Sequence, residues 1–398
     1  MAKPFFGVNP WFARPRLFCL ASLLSARYNR RKLSFFTDFK GNAMNRVIMI
    51  FFAAAAVLGG LDCIAGNKKG YGERFEEAFR LLGPTALSMA GMICISPALS
   101  FLLERLLAPL LRFLGTDPAL AGGFFAIDMG GYQLAMQLAD TPDWGGFFGI
   151  IVAAVFGCTL TFTLPVGIGV IEENDTGYFL KGIIIGLITM PAGFFLGGLL
   201  FGFSPLQLLG RLAVLLVCAL LLVLGLGKCP SRMLKGFRLF VRALKILITL
   251  GLTIGAVLYL LDLQNRWITP VMDAMQTVSS ICVVMLGSLP AALFLQRLLR
   301  VPLQKAGNLL KLDETAVTAI LIGTVSVLPA LTMLKDMSPH GRVAVSAYLV
   351  SAASLMGAHI AFTMGVSPDL TGPLIAAKLT GAFTALAVSL WTERRNST

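Results

Sequence analysis

Apolar runs of about the length that crosses a bilayer recur along the chain, each closed by a short polar or charged stretch. A helix needs about 20 apolar residues to span the hydrocarbon. On that measure the pattern predicts spans near 46–65, 81–97, 119–138, 147–170, 178–203, 207–227, 239–261, 275–295, 316–335, 343–364 and 372–391. The expected fold is therefore all-α, a polytopic membrane helix bundle of about eleven transmembrane helices. One run breaks the rule. In "GGFFAIDMGGYQLAMQLAD" (122–140) the carboxylate of Asp128 stands in the middle of an apolar stretch, directly before Met129-Gly130-Gly131.

Composition agrees with the pattern. The chain is 57% hydrophobic and 13% charged, where soluble domains carry about 25% charged residues. So little polar surface cannot cover a globule in water, and lipid is the implied solvent. The seven cysteines show no C-x-x-C spacing, and most lie in apolar runs where the thiol packs as a small hydrophobe. There are two histidines. No H-E-x-x-H, P-loop, G-x-S-x-G or metal-ligand spacing is present, so neither an enzyme nor a cofactor or metal is expected.

The formal charge of +13 is unevenly placed. Residues 1–43 hold eight Lys/Arg and one acid, and "GKCPSRMLKGFRLFVRALK" (227–245) and "QRLLRVPLQKAGNLLKL" (296–312) are strongly basic. In a membrane protein such clusters mark cytoplasmic segments and do not point to nucleic acid. Counted through eleven spans, they place the start of the membrane domain inside, "LADTPDW" (138–144) outside and the C-terminal end outside, against Arg394 and Arg395. The basic stretch 1–43 resembles a targeting peptide in composition. The expectation is a start assigned too early, with Met44 opening a transporter domain at 44–394.

Two stretches align without gaps: "PALSFLLERLLAPLLR" (97–112) and "PAALFLQRLLRVPLQK" (290–305), identical at seven of 16 positions including both prolines. Asp117 and Asp313, Pro142 and Pro339, and "TG" at 176–177 and 371–372 follow in the same order. An internal duplication is expected, repeat one about 80–203 and repeat two about 273–391. Secondary transporters are built this way, with substrate sites near the midplane. Eleven crossings would make the copies parallel; a hairpin in place of a span would invert them.

Candidate chemistry follows from what does not belong in lipid. A charge at the centre of a span costs at least about 3 kcal/mol, and two glycines after it weaken the helix by about 1 kcal/mol each. Acid plus breaker predicts a discontinuous helix that offers Asp128 and the backbone of Gly130 and Gly131 to a cation, with Gln133 and Gln137 supplying amides along the same helix. The competing reading has Asp128 cap a half-helix or pair with Lys181 or Lys378. His359, in "LMGAHIAFT" (355–363), is a buried proton relay, a hydroxyl partner or a packed neutral ring. Glu172, in "VIEENDTG" (170–177), is a ligand or a solvated helix-end acid. The glycines of "AGFFLGGLLFG" (192–202) allow close helix approach.

At these residues the chain resembles the ethanolamine permease family of bacterial ethanolamine-utilization operons. "AIDMGGYQLAMQLA", "TLPVGIGVIEENDTGYFLKGIIIGLITMPAG" and "FEEAF" (75–79) carry the likeness, which runs from Met44 to about residue 391. It implies an inner-membrane carrier taking up ethanolamine as a carbon and nitrogen source, with family motifs falling on Asp128, Gly130, Gly131, Pro165 and Glu172. The chain departs from the family pattern at Ala358 and at Ser326-Val327. Ethanolamine and the bilayer are the expected partners, a homo-oligomer is compatible with the sequence, and the alternative is a carrier of another small cationic amine, an amino acid or a nucleoside.

Overall fold

The computed structural model describes residues 43–125 and 129–396. The segment 1–42, and with it the question of an early start, lies outside the described residues. Residues 1–47 form one unit, of which only the opening of a helix is described; Ile48–Thr398 form the other. Among the described residues every regular element is a helix, and nine are long and apolar enough to cross a membrane.

The first is α1 (Ala43–Ile64), followed by α2 (Tyr71–Arg80) and α3 (Leu82–Leu106), which together make one span. A short α4 (Ala108–Phe113) leads to a broken pair, α5 (Ala119–Phe124) and α6 (Gly131–Leu138). Then come α7 (Pro142–Val170), α8 (Thr176–Phe201), α9 (Pro205–Lys228), α10 (Pro230–Leu260) and the 40-residue α11 (Val271–Leu310). A second broken pair follows, α12 (Glu314–Gly323) and α13 (Val327–Thr332). The chain ends with α14 (Pro339–Ala352), α15 (Ile360–Val366) and α16 (Thr371–Asn396).

Both broken pairs leave by the face they entered. At a helical rise of 1.5 Å the limbs α5 and α6 are only about 9 and 12 Å long, against a hydrocarbon thickness of about 30 Å. Their two bases are tied together: Asp117 Oδ1 accepts the Ala119 amide at the head of α5 and lies 3.4 Å from the Asp140 amide beyond α6. Arg112, before the hairpin, pairs with Asp140, after it, at 2.9 Å and with Glu104 at 2.8 Å. The second pair repeats the design. Asp313 caps α12 through the Ala316 amide at 2.9 Å and accepts the Ser338 amide at 3.0 Å, so both ends of that hairpin also meet. Two of the eleven expected spans, 119–138 and 316–335, are thus re-entrant hairpins. Their apolar length satisfied the span rule, but apolar length does not encode direction.

That correction changes the sidedness. Asp140, Arg112 and Arg211 share one face, where Arg211 lies 3.8 Å from Asp140. Asp175 and Arg342 share the other, joined by an ion pair, together with Glu172 and Lys335, His340 and Glu393, and Lys181 and Glu393. The basic stretches at the α9–α10 turn and the end of α11 fall on the Arg342 face, which the positive-inside rule assigns to the cytoplasm. The end of α16, carrying Arg394 and Arg395, now falls on that same face, and the first span, from Ile48, starts at the opposite one. "LADTPDW" stays on the outer face.

The element order of the chain from α3 to α8 recurs from α11 to α16: a Pro-kinked helix, a hairpin opened by Asp, a helix with Pro at its first turn, and a helix begun by Thr. With five crossings separating them, the two series run in opposite senses.

The helices approach as closely as backbone allows where glycine permits it. A Cβ on Gly193 would strike the Ala377 carbonyl, and one on Gly197 would stand 2.7 Å from the Ala377 Cβ. The small-residue stripe of 192–202 is therefore a packing seam between α8 and α16.

Cysteines placed at Glu104 and Asp140 are expected to react with a membrane-impermeant thiol reagent from the outer face, and cysteines at Asn174 and Lys335 only from the cytoplasmic face. Eleven crossings would split each pair across the membrane, so intact cells and inverted vesicles decide between the two counts.

Candidate functional site

Asp128, with Ala126 and Ile127, lies outside the described residues; the hairpin that carries it is described on both sides. α5 ends at Phe124, which meets Phe156 of α7 edge-on at 5.2 Å between centroids. Beyond the gap Met129 is buried and held at φ 65°, a left-handed conformation that L residues rarely adopt, and Gly130 and Gly131 return the chain to helix. The expected discontinuity is present. A Cβ on Gly122 would collide with the Ala135 backbone, so the two limbs touch backbone to backbone.

A second discontinuity sits in the 339–366 span. α14 stops at Ala352, Ser354 takes φ 54°, and a π turn at Leu355–His359 contains Gly357 at φ −94°, ψ −115° before α15 begins. The second hairpin unwinds beside it. The Ser354 amide donates to Gly323 O at 3.0 Å and the Met356 amide to Thr324 O at 2.7 Å. Carbonyls freed at the end of α12 are thus satisfied by amides freed in the break of its neighbour.

α7 is wound as a π helix over Phe147–Gly157 and again over Thr159–Thr163, and its middle is fully buried. π turns inside helices concentrate at functional sites. Here the Ala154 carbonyl accepts a 2.8 Å bond from Nζ of Lys378, a lysine of α16 with no exposed surface. His359 is buried, within electrostatic reach of Lys378, and its Nδ1 has no hydrogen-bond partner among the described residues. Cys158 is also within electrostatic reach of that ammonium. The hydroxyls of Thr163, Ser288, Ser351 and Thr371 are buried without a partner among the described residues. An unpaired buried polar group costs about 1–3 kcal/mol.

The sequence-derived candidates separate. Gly130 and Gly131 form the inner end of the first hairpin. Gln133, on the next turn of α6, lines a cavity of about 400 Å³ with Tyr132, Asp273 and Gln276. Gln137 is exposed and donates to Ser96 Oγ at 3.0 Å, which makes it a brace between α6 and α3. Glu172 lies on the cytoplasmic face with its side chain 61% exposed, 4.0 Å from Lys335, and is not brought to the buried lysine. Lys181 pairs with Glu393 on that face. Lys378, weighed in the sequence only as a partner for Asp128, is a fully buried amine bonded to Ala154 O. Its signal was a single lysine in the apolar run "LIAAKLTGAF".

No group of His, Cys, Asp and Glu able to hold a metal ion occurs among the described residues.

Residues 44–392 match the family model described as ethanolamine utilisation protein, EutH. The chain is 37% identical over 355 residues to a probable ethanolamine permease EutH of Listeria monocytogenes, covering 89% of this chain and 95% of that protein. It is 34% identical to the uncharacterized protein YxeR of Bacillus subtilis, over 87% of this chain and 95% of that one. A probable ethanolamine permease EutH of Salmonella typhimurium is 32% identical, over 87% and 91% of the two chains. No solved structure matches.

Three substitutions test the interior. A Cβ on Gly357 would stand 2.5 Å from Val325 O, whereas one on Gly169 would meet nothing. Gly357→Ala is expected to destabilise by about 1–3 kcal/mol, the usual cost of overpacking, and Gly169→Ala to leave the thermal midpoint in detergent unchanged. Replacing Lys378 by Met, which removes a buried ammonium whose desolvation costs several kcal/mol, is expected to give a midpoint no lower than that of the parent.

Proposed function

The chain belongs to the EutH family of ethanolamine utilisation proteins, and from that membership we propose that it carries ethanolamine inward across the bacterial inner membrane. The observation that supports this reading best is the pair of re-entrant hairpins. They enter from opposite faces, each ends in unwound backbone, and buried unpartnered polar groups occupy the interior. A carrier must bind its cargo away from lipid and release it on either side, and half-helices supply polar backbone at depth without exposing it to hydrocarbon. The recurrence of Pro97/Pro290, Pro109/Pro302 and Asp117/Asp313 in oppositely directed series supports reading the two halves as an inverted duplication.

Ethanolamine is an alkyl amine that titrates in the same range as lysine, so it is cationic at neutral pH. In this reading Asp128 pairs with the ammonium, which offsets the desolvation of both charges. The carbonyls and amides around Gly130 and Gly131 and the Gln133 amide meet the hydroxyl, and His359 offers a further ring nitrogen. Transport proceeds as a facilitator or as a cation-coupled carrier, and no reaction is catalysed on the cargo.

Lys378 favours one competing reading. A buried lysine whose amine, when protonated, lacks a carboxylate among the described residues suits a substrate carboxylate, and an amino acid would bring one alongside its amine. Competition of labelled ethanolamine uptake by serine and by choline separates these cargoes: an amino acid carrier is inhibited by serine and an ethanolamine carrier is not.

Uptake of radiolabelled ethanolamine at acidic pH and limiting substrate is the direct test, with membrane abundance matched. Asp128→Asn is expected to lose at least about tenfold in uptake, since leaving one partner of a buried charge pair alone costs several kcal/mol. Wild-type uptake no greater than the vector control would overturn the carrier reading.

A further inference from the structure

The outer end of α11 carries a polar stripe that the bundle does not need. Asp273, Gln276, Thr277 and Ser280 are spaced i, i+3, i+4 and i+7, which sets them on one side of the helix. Met272 and Val283, exposed and apolar, mark a neighbouring stripe turned to lipid. The polar stripe faces Tyr132 and Gln133 of the first hairpin across the cavity of about 400 Å³, closed at its edge by the end of α15. Tyr132 is fixed there by an edge-on contact with Phe362 at 5.6 Å.

The chemistry of the lining is one-sided. Asp273 is its single charged group among the described residues. The Thr277 hydroxyl donates to its own helix at Asp273 O and the Ser280 hydroxyl to Gln276 O, at 3.3 and 2.9 Å, which leaves their oxygen lone pairs as acceptors. Gln133 and Gln276 add amides that both accept and donate. A wall of acceptors around one carboxylate, with no cation in it, suits a small hydroxylated ammonium. The volume exceeds such a cargo by several waters, each taking about 30 Å³. That makes the cavity a hydrated receiving vestibule rather than an occlusion site.

The ordinary explanation of Asp273 is its place in the first turn of α11, where an acid complements the helix dipole. That explanation accounts for one residue. It does not account for the amides and hydroxyls continuing the stripe for two turns, nor for their facing the hairpin limb that begins at Gly131.

We propose that this cavity is the outer capture site for the amine cargo, with Asp273 receiving the ammonium and Gln133 and Gln276 the hydroxyl, before the cargo passes the first hairpin. The proposal rests on the carrier reading for its cargo, but its test does not depend on flux.

Ser280→Cys places a thiol in the stripe. In the purified full chain, with labelling of the parent's own cysteines subtracted, 2-aminoethyl methanethiosulfonate is expected to react faster than its anionic sulfonatoethyl counterpart. Ethanolamine should slow the reaction and ethanol should not. Adding Asp273→Asn should abolish both the charge preference and the protection. In cells, Asp273→Asn is expected to raise the KM for uptake about two- to fivefold, the worth of one partly exposed charge pair, with the maximal rate kept and Asp273→Glu restoring the KM. A merely dipole-complementing role would lower stability and leave KM alone. Equal labelling by the two reagents, or labelling that ethanolamine does not slow, overturns the capture site even if uptake is robust. Protection without any uptake keeps the site and condemns the carrier reading.

Discussion

A carbonyl freed from a helix inside lipid has no water to turn to, and the architecture is organised around meeting that demand. At the end of α12 the Gly323 and Thr324 carbonyls would be orphaned by the break at Val325–Ser326. They are accepted into bonds from the Ser354 and Met356 amides, themselves freed by the break between α14 and α15. Each discontinuity is therefore affordable only because the other exists, since an unsatisfied backbone group at membrane depth costs several kcal/mol. Gly357 is required at the crossing because any side chain would enter the space of Val325 O. Ser354 accepts a left-handed backbone for the same reason.

The same physics explains why hydropathy located all of these segments and misjudged two of them. The spans at 147–170, 178–203, 207–227 and 239–261 fall inside α7 to α10, or within a few residues of their ends, because a helix that crosses the hydrocarbon must be apolar over a fixed length whether it faces lipid or the bundle. The run 119–138 is long enough but carries Asp128, Gln133 and Gln137, and its polar backbone is sheltered by α3, α7 and its own second limb, so it need not cross. What distinguishes it is written in residues that a window average ignores. Asp117 and Asp140 bracket it, and Gly122 lets the limbs touch. Once both hairpins turn back, Arg394 and Arg395 join the other basic residues on one face, and an inconsistency in the eleven-span count disappears.

Candidate residues were legible to the extent that they offended the lipid. His359 and the Gly130-Gly131 break stood out for that reason, and both lie in the interior. Glu172 carried the same formal charge as a buried acid but sits at a helix end, where an acid meets water, and sequence distance from the span edge could not decide which. Lys378 was visible as a lysine in an apolar run. Its burial against a π-wound carbonyl of α7 depends on the glycine seam that draws α16 onto α8, and no local pattern reports that. Asp273 went unremarked because an acid in a first helical turn has an ordinary explanation; only the hairpin opposite makes its stripe the wall of a cavity.

The two hairpins are distributed between the two faces of the bundle by geometry. One is rooted at the Asp140 face through Asp117 and the other at the Arg342 face through Asp313, so each face has its own short, incompletely helical element reaching inward. Helices of six to ten residues hold few backbone bonds of their own, so these limbs depend on burial against their neighbours, as the buried Ala119–Gly123 and Leu134–Ala135 show. The long helices α8, α14 and α16 are locked by glycine contacts at Gly182, Gly186 and Gly193 and cannot shift without losing them. Because the two series run in opposite senses, each face of the bundle meets one such hairpin and the same pattern of contacts at its base.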